Sequence, residues 1–334
     1  MKISILGLGS WPLALSVALN DNNNDVLMWS AIEEEVQEFN KYHTARKYIK
    51  DVTFDSKIKA THSLKEICEH SSVIIIGIPT KFYRNILSLL NENLNQKKIF
   101  VNISKGIEPN THMLMSEVIT DEIDNNLIDE IVNLTGPSHA EELVKRMETT
   151  LVSACETSTI AKLIQSAFQN QYLRVYTSND LIGSQLVSAL KNIIAIASGV
   201  LVGLGKGDNL KAALITRGLV ELKRYALLRG AKEETIYSLA GLGDLIVTTS
   251  SVHSRNFQAG YRIGKGENPK VAIEKSVMVV EGIRTCNAVV NQLDELGIEM
   301  PISEAVYDVF YNNVNINDAI IKLMTREHRQ LEEN

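Results

Sequence analysis

The sequence predicts an α/β fold in two parts, a sheet domain over residues 1–180 followed by an all-α domain over 181–334. Three observations predict it. Short β-prone apolar runs alternate with helical patterns through the first half, several of them ending in glycine-containing turns at Gly7, Gly77, Gly106 and Gly136. The first run, Ile3 to Leu6, passes through Gly7 and Gly9 straight into an amphipathic helical pattern. Beyond about Leu181 strand runs cease, and helical patterns follow one another over 182–203, 209–229, 252–263, 281–296 and 301–311.

A chain of 334 residues can bury two cores. Its 45% hydrophobic and 22% charged residues are an ordinary globular composition without collagenous or disordered bias. The formal net charge of −6 argues against nucleic acid or an anionic membrane as main partner, while leaving room for a local basic pocket for an anionic metabolite. Cys68, Cys155 and Cys286 are odd in number and far apart, which points to a reducing compartment and away from a disulfide framework. The histidines show no metal-ligand spacing, so no metal site is expected, and no serine stands in a nucleophile elbow. The N-terminus enters a strand at once without an apolar signal segment, and a cytoplasmic location is the expectation.

The run Ile3–Leu6, the turn Gly7-Leu-Gly9-Ser-Trp-Pro12, the helical pattern Leu13–Leu19 and the second strand Asp25–Trp29 make a βαβ opening. Gly-x-Gly at the strand-to-helix turn lets the backbone approach a pyrophosphate, whose charge lies on the helix N-terminus. This is a Rossmann-like dinucleotide-binding opening. Pro12 replaces the third glycine; a proline is tolerated in the first helical turn but adds bulk where glycine allows close packing. After Trp29 come Ser30, Ala31 and Ile32, with Glu33-Glu-Glu35 beyond. Neither the ribose-binding acid of an NAD site nor the arginine of an NADP site stands there cleanly. The triple glutamate reads as the solvated first turn of a helix. With no cation at hand, the residues favour NAD over NADP.

Ser72–Gly77 is a continuous apolar run typical of a central parallel strand. Lys98–Ile103 follows and ends at Ser104-Lys105-Gly106; Ile131–Thr135 ends at Gly136-Pro-Ser-His-Ala140. Thr150–Ala154 and Leu173–Tyr176 read as later, partly antiparallel additions. Ligands of open α/β sheets bind beyond the carboxyl ends of the strands, which makes Lys105 a candidate, against the plainer reading of a solvated loop lysine.

The helix beginning near Ile182 is apolar on every face and carries one charge, Lys191, so it should be buried all round. An ammonium there is costly unless it reaches a polar cleft or an anion; snorkelling to solvent is the alternative. The uncharged stretch, about 14 residues, falls short of the roughly 20 that a bilayer requires. Farther on, Ala240-Gly-Leu-Gly-Asp-Leu245 places a carboxylate behind two glycines, and Ser254, Arg255 and Asn256 stand side by side. Arginine beside a hydroxyl and an amide suits a phosphate; a helix N-cap followed by a surface arginine fits the same residues equally well.

Together the motifs resemble a family. Gly7-Leu-Gly-Ser-Trp11, Pro79-Thr-Lys81, Ser104-Lys-Gly-Ile-Glu108, Gly136-Pro-Ser138 with Ala140-Glu-Glu142, Ala189-Leu-Lys-Asn-Ile193, Gly207-Asp-Asn209, Leu214-Ile-Thr-Arg-Gly218, Gly241-Leu-Gly-Asp-Leu245, His253-Ser-Arg-Asn256 and Val280-Glu-Gly282 occur in the order seen in bacterial NAD(P)-dependent glycerol-3-phosphate dehydrogenases. The resemblance spans Lys2 to about Arg326. It implies NAD(P)H-dependent reduction of dihydroxyacetone phosphate to sn-glycerol 3-phosphate, the precursor of phospholipid backbones. It implies that Gly7, Gly9, Ser10, Trp11, Tyr48, Lys105, Ala140, Arg255, Val279 and Glu281 serve the cofactor. Lys105, Gly136, Ser138, Lys191, Asp244, Ser254, Arg255 and Asn256 would contact substrate, with Lys191 as the proton acceptor in the oxidative direction. The partner so implied is a small phosphorylated metabolite; a homodimer is compatible with the sequence, and the charge balance and the short uncharged stretch lead to the expectation of no nucleic acid and no stable membrane insertion.

The chemistry suits these side chains. Hydride addition to a ketone leaves an alkoxide that must be stabilised and protonated. Two lysines converging on that oxygen, one of them buried, depress the amine pKa toward neutrality. The chain departs from the family pattern at Pro12, Ala31, Glu148, Gln185, Val187 and Ser188; the change from glycine to Val187 crowds the helix one turn before Lys191. Two other readings share the fold: a non-catalytic dinucleotide-binding regulator, and a β-hydroxyacid dehydrogenase with a carboxylate pocket in place of the phosphate pocket.

Overall fold

The computed structural model describes residues 1–274 and 280–326. Eight strands, β1 (Lys2–Leu6), β2 (Asp25–Trp29), β3 (Lys59–Thr61), β4 (Val73–Ile76), β5 (Lys98–Asn102), β6 (Ile128–Thr135), β7 (Thr149–Ala154) and β8 (Leu173–Ser178), form one sheet in the order β3-β2-β1-β4-β5-β6-β7-β8. Pairing is parallel from β3 through β6, antiparallel between β6 and β7, and parallel again between β7 and β8. The α/β reading is therefore correct. Every residue of β4 and β5 is buried, the condition under which parallel strands read as unbroken apolar runs. The core beneath them runs from Ile3, Ile5 and Leu13 through Val73, Ile75 and Val101 to Leu134 and Leu151.

Strand order reverses between β1 and β4, and the turns that leave these two strands touch. Gly7 has φ +118, and a Cβ built on it would lie 2.7 Å from the Gly77 carbonyl oxygen, so neither backbone nor space admits a side chain. Pro12 proves compatible with this junction. Its ring fills the space that Gly77 leaves open, where an added Cβ would come within 2.5 Å of the proline Cγ. Two differences from the sequence reading concern strands. β3 has no counterpart in that reading, because three residues with two polar side chains carry no periodicity; pairing with β2 alone makes it a strand. β6 begins at Ile128 rather than Ile131, because its ladder with β5 continues past the apolar run through Glu130 to Ile128, with a register shift at Asp129.

Two compact units emerge, Met1–Ser104 with Leu114–Leu181, and Lys105–Met113 with Ile182–Asn334. The segment Lys105–Met113 thus groups with the helices instead of the sheet. Two polar links account for it: Lys105 pairs with Asp244, and the Arg229 guanidinium donates to the His112 carbonyl at 3.1 Å.

Within the helical unit, the helix Leu181–Gly203 is buried at every position from Gly183 to Ile196. The helix has 23 residues and an 18-residue stretch of mean hydropathy 1.8, long and apolar enough to cross a membrane, which the shorter uncharged stretch understates; 83% of that 18-residue stretch is buried by the protein itself. Val187 and Ser188 are absorbed without a break, the Ser188 hydroxyl donating to the Gln185 carbonyl at 3.1 Å. This helix meets Arg255–Gly264 with almost no separation. A Cβ on Gly199 would lie 2.1 Å from the Phe257 oxygen, and one on Gly260 2.0 Å from the Ile196 oxygen. Each helix carries its glycines four residues apart, Gly199 and Gly203 against Gly260 and Gly264, so backbone packs on backbone over a full turn.

Two helix readings change. The pattern 252–263 becomes a helix only at Arg255, because the Ser254 hydroxyl accepts from the Phe257 N–H and caps it there. The single helix 281–296 divides into Glu281–Val290 and Leu293–Leu296. The polar pair Asn291-Gln292 interrupts it, the Gln292 side-chain oxygen accepting from the Tyr225 hydroxyl and the Arg229 guanidinium.

Gly260→Ala should lower stability by about 2–4 kcal/mol, because the added methyl must push two backbones apart. Urea unfolding measures it, and an unchanged midpoint would contradict the close crossing.

Candidate functional site

Asp244 begins the helix Asp244–Ser250, which follows the turn Leu239–Gly243. Leu245 packs in one cluster with Ile194 of the Lys191 helix and Ile302, and this apolar contact sets Asp244 against Lys191. Asp244 is wholly buried and Lys191 only 3% exposed. One carboxylate oxygen accepts from the Lys191 Nζ, and the other accepts from the Lys105 Nζ at 2.8 Å. The Thr248 hydroxyl also accepts from the Lys191 Nζ and donates to the Asp244 main-chain oxygen at 2.6 Å. Lys105, drawn from the loop after β5, keeps a side-chain exposure of 21% and forms the accessible end of the cluster.

Two ammonium groups share one carboxylate, leaving one positive charge in excess in a buried place. Burial pushes the Lys191 amine down to about 7; the neighbouring Lys105 charge acts in the same direction, while Asp244 opposes both. Burial raises the Asp244 carboxyl, but its two ammonium partners outweigh that and hold it below its ordinary value. The carboxylate therefore remains a fixed counter-charge, and Lys191 is the member that exchanges a proton near neutrality. Such a cluster can hold an oxyanion and pass it a proton.

Ser254, Arg255 and Asn256 open the neighbouring helix, each in a different setting. Ser254 caps the helix, Arg255 is exposed, and the Asn256 side-chain oxygen accepts from the Gly282 N–H at 3.0 Å. That last bond ties the Arg255 helix to the helix starting at Glu281. Val279 lies outside the described residues.

The other predicted residues belong to the sheet unit. Gly9 is the N-cap of the helix Ser10–Asp21 and gives it no side-chain cap, and the first turn carries no acid. Its N–H groups lie at the switch point between β1 and β4, where a pyrophosphate fits. Trp11 Nε1 is buried with no hydrogen-bond partner among the described residues. The Ser10 hydroxyl donates to the Tyr48 carbonyl at 3.2 Å. Gly136 has φ +146, the Ser138 hydroxyl donates to its carbonyl at 3.0 Å, and Ala140 opens the short helix Ala140–Leu143. This turn chemistry and the orphaned indole fit a dinucleotide.

Two residues escape the sequence reading. Thr248 stands four positions after Asp244, on the same helix face, and that spacing is an available signal. Glu35 reads in sequence, with Glu33 and Glu34, as solvated. Those two are exposed, but the Glu35 carboxylate accepts from Ser30 Oγ at 2.9 Å, Tyr48 Oη at 2.8 Å and Lys47 Nζ at 2.8 Å. Two of its partners lie more than a helix length away in sequence, where no local pattern reaches them.

Residues 2–161 match the family model described as NAD-dependent glycerol-3-phosphate dehydrogenase N-terminus, and residues 180–321 match its C-terminus counterpart. The chain is 45% identical over 328 residues to the glycerol-3-phosphate dehydrogenase [NAD(P)+] of Listeria monocytogenes serotype 4b, covering 98% of this chain and 97% of the relative. It is 44% identical over 327 residues to that of Macrococcus caseolyticus, covering 98% of each. The crystal structure of glycerol-3-phosphate dehydrogenase from Coxiella burnetii superposes with a TM-score of 0.92 at 31% identity, over 97% of this chain and 99% of that one.

Asp244→Asn should destabilise the protein by roughly 3–5 kcal/mol at pH 6, where Lys191 must be buried charged or give up its proton. The cost should shrink at pH 9, where the neutral amine needs no counter-charge. Denaturant unfolding at the two pH values measures it, and a cost independent of pH would contradict the assignment.

Proposed function

The chain belongs to the NAD-dependent glycerol-3-phosphate dehydrogenase family, and from that premise we propose that it reduces dihydroxyacetone phosphate to sn-glycerol 3-phosphate, reversibly, in the cytoplasm and in supply of glycerophospholipid synthesis. The observation that carries this reading is the buried Asp244 carboxylate holding Lys105 and Lys191 together.

NADH or NADPH, when bound, would supply the hydride for the substrate's carbonyl carbon. Lys191 delivers a proton to the carbonyl oxygen as charge develops on it, and removes that proton in the reverse direction. Lys105 provides a second cation for the developing alkoxide. Asp244 positions both amines, and Thr248 orients the Lys191 Nζ through their hydrogen bond. Arg255 holds the phosphate with Ser254 and Asn256, its guanidinium fork matching phosphate oxygens. Gly136 and Ser138 complete the substrate contacts. Gly7, Gly9, Ser10, Trp11, Tyr48 and Ala140 hold the dinucleotide, joined by Lys105, Arg255 and Glu281. The uncapped helix after Gly9 and the unpartnered Trp11 indole support that assignment.

Purified protein should consume NADH or NADPH only when dihydroxyacetone phosphate is present. Lys191→Met should lower kcat by about 10²–10⁴-fold with the fold retained. No turnover with either cofactor would sink the reading in favour of a non-catalytic binder, and turnover with a β-hydroxyacid's keto form instead would move it to that class. Because Lys191 titrates near pH 7, reduction, which needs the ammonium, should slow as pH rises through that range. Oxidation, which needs the free amine, should accelerate over the same range; parallel profiles in the two directions would rule out Lys191 as the proton carrier.

A further inference from the structure

We infer that Glu35, held by Ser30, is a specificity-determining residue that accepts a free ribose 2′-hydroxyl and rejects a 2′-phosphate, so that this chain prefers NADH to NADPH. The inference rests on the dinucleotide-binding part of the function proposed above.

Ligands of an open α/β sheet lie outside the carboxyl ends of the strands, so the residues just beyond β2 meet the adenosine ribose. Here β2 ends at Trp29, and Ser30 is the next residue. The Ser30 hydroxyl accepts from the Ile32 N–H at 3.2 Å and donates to Glu35 at 2.9 Å, bringing a carboxylate from the next helix to the strand end. Ala31, the residue after Ser30, offers no cation at this strand end. The network is joined to the pyrophosphate turn as well, since Tyr48 donates to Glu35 through its hydroxyl and accepts from Ser10 through its carbonyl.

The carboxylate is ionised and has capacity left. Burial pushes the Glu35 carboxyl up, but hydrogen bonds from Lys47, Tyr48 and Ser30 outweigh it and keep the group below its ordinary value. A carboxylate offers about four acceptor sites; three are filled here, and its side chain keeps 16% exposure. A ribose hydroxyl can donate to the fourth. A phosphate in the same place brings more acceptor oxygens and more negative charge to a fixed anion. The cation in contact with Glu35, Lys47, is already committed to it at 2.8 Å. Arg46 and Lys50 flank the network in sequence and are exposed to solvent.

Fluorescence titration of the full chain with NADH and with NADPH, without substrate, tests this by binding alone. The wild-type Kd for NADPH should exceed that for NADH by about tenfold or more. Glu35→Gln removes the anion and releases Lys47, and should shift the ratio toward NADPH by about tenfold, with NADH binding reporting that the site is folded. Lys47→Met should leave the preference for NADH in place. Equal wild-type affinities, or an unchanged ratio in Glu35→Gln, would overturn the inference; the wild-type ratio decides without relying on any variant. Failure of the wild-type protein to bind either dinucleotide would overturn the dehydrogenase reading itself, and this inference with it.

Discussion

A single buried carboxylate must neutralise two ammonium groups, and the helical unit is arranged around that demand. Asp244, Lys191 and Lys105 come from three separate stretches of chain, and none of the three could be placed as it is alone. An unpaired Lys191 in the middle of an apolar helix would be driven neutral by burial, and an unpaired Asp244 would be driven to protonate. Paired, they reach a compromise in which the carboxylate stays charged and one amine is left close to neutrality. The same electrostatic imbalance that costs stability creates a group able to give and take a proton at working pH. The need for Lys105 also explains why the segment after β5 packs with the helices rather than with the strand it leaves.

Two close backbone contacts position the rest. The crossing of Gly199 and Gly203 on Gly260 and Gly264 locks the Arg255 helix to the Lys191 helix, so the candidate phosphate-binding residues and the candidate proton carrier share one support. In the sheet unit, the meeting of Gly7 with Gly77 brings the turns after β1 and β4 together at the reversal of strand order, where the following helix starts without a side-chain cap. Precise placement in each unit thus comes from the absence of side chains at a few positions. That arrangement tolerates change nearby: Pro12 fills space against Gly77, and Val187 is buried within an unbroken helix.

How much of the fold and site is legible in the sequence depends on the physics of each signal. The parallel strands announce themselves as apolar runs because both faces are buried, and the Lys191 helix announces itself because a lone charge on an apolar helix demands a partner. The partner is legible only as a candidate, since Asp244 lies 53 positions away and nothing local joins them. β3 is invisible because its ladder, not its side chains, makes it a strand. Glu35 misleads because a run of three glutamates looks uniform in sequence, whereas helical geometry exposes two and turns the third toward Ser30 and Tyr48. The Ser254-Arg255-Asn256 cluster fits two readings, a phosphate site and a capped helix, and the observed Ser254 cap is compatible with both.

Burial beside a second cation brings Lys191 to the edge of neutrality while Asp244 keeps it in place. Direct titration of the Lys191 ε-amine by heteronuclear NMR of lysine-labelled protein tests it most directly, with a Lys191→Met sample to assign the resonance. The expected midpoint is about pH 7, well below the ordinary lysine value of 10.5. A midpoint near the ordinary value would show that Asp244 dominates the pair, and would contradict the assignment of Lys191 as the proton carrier.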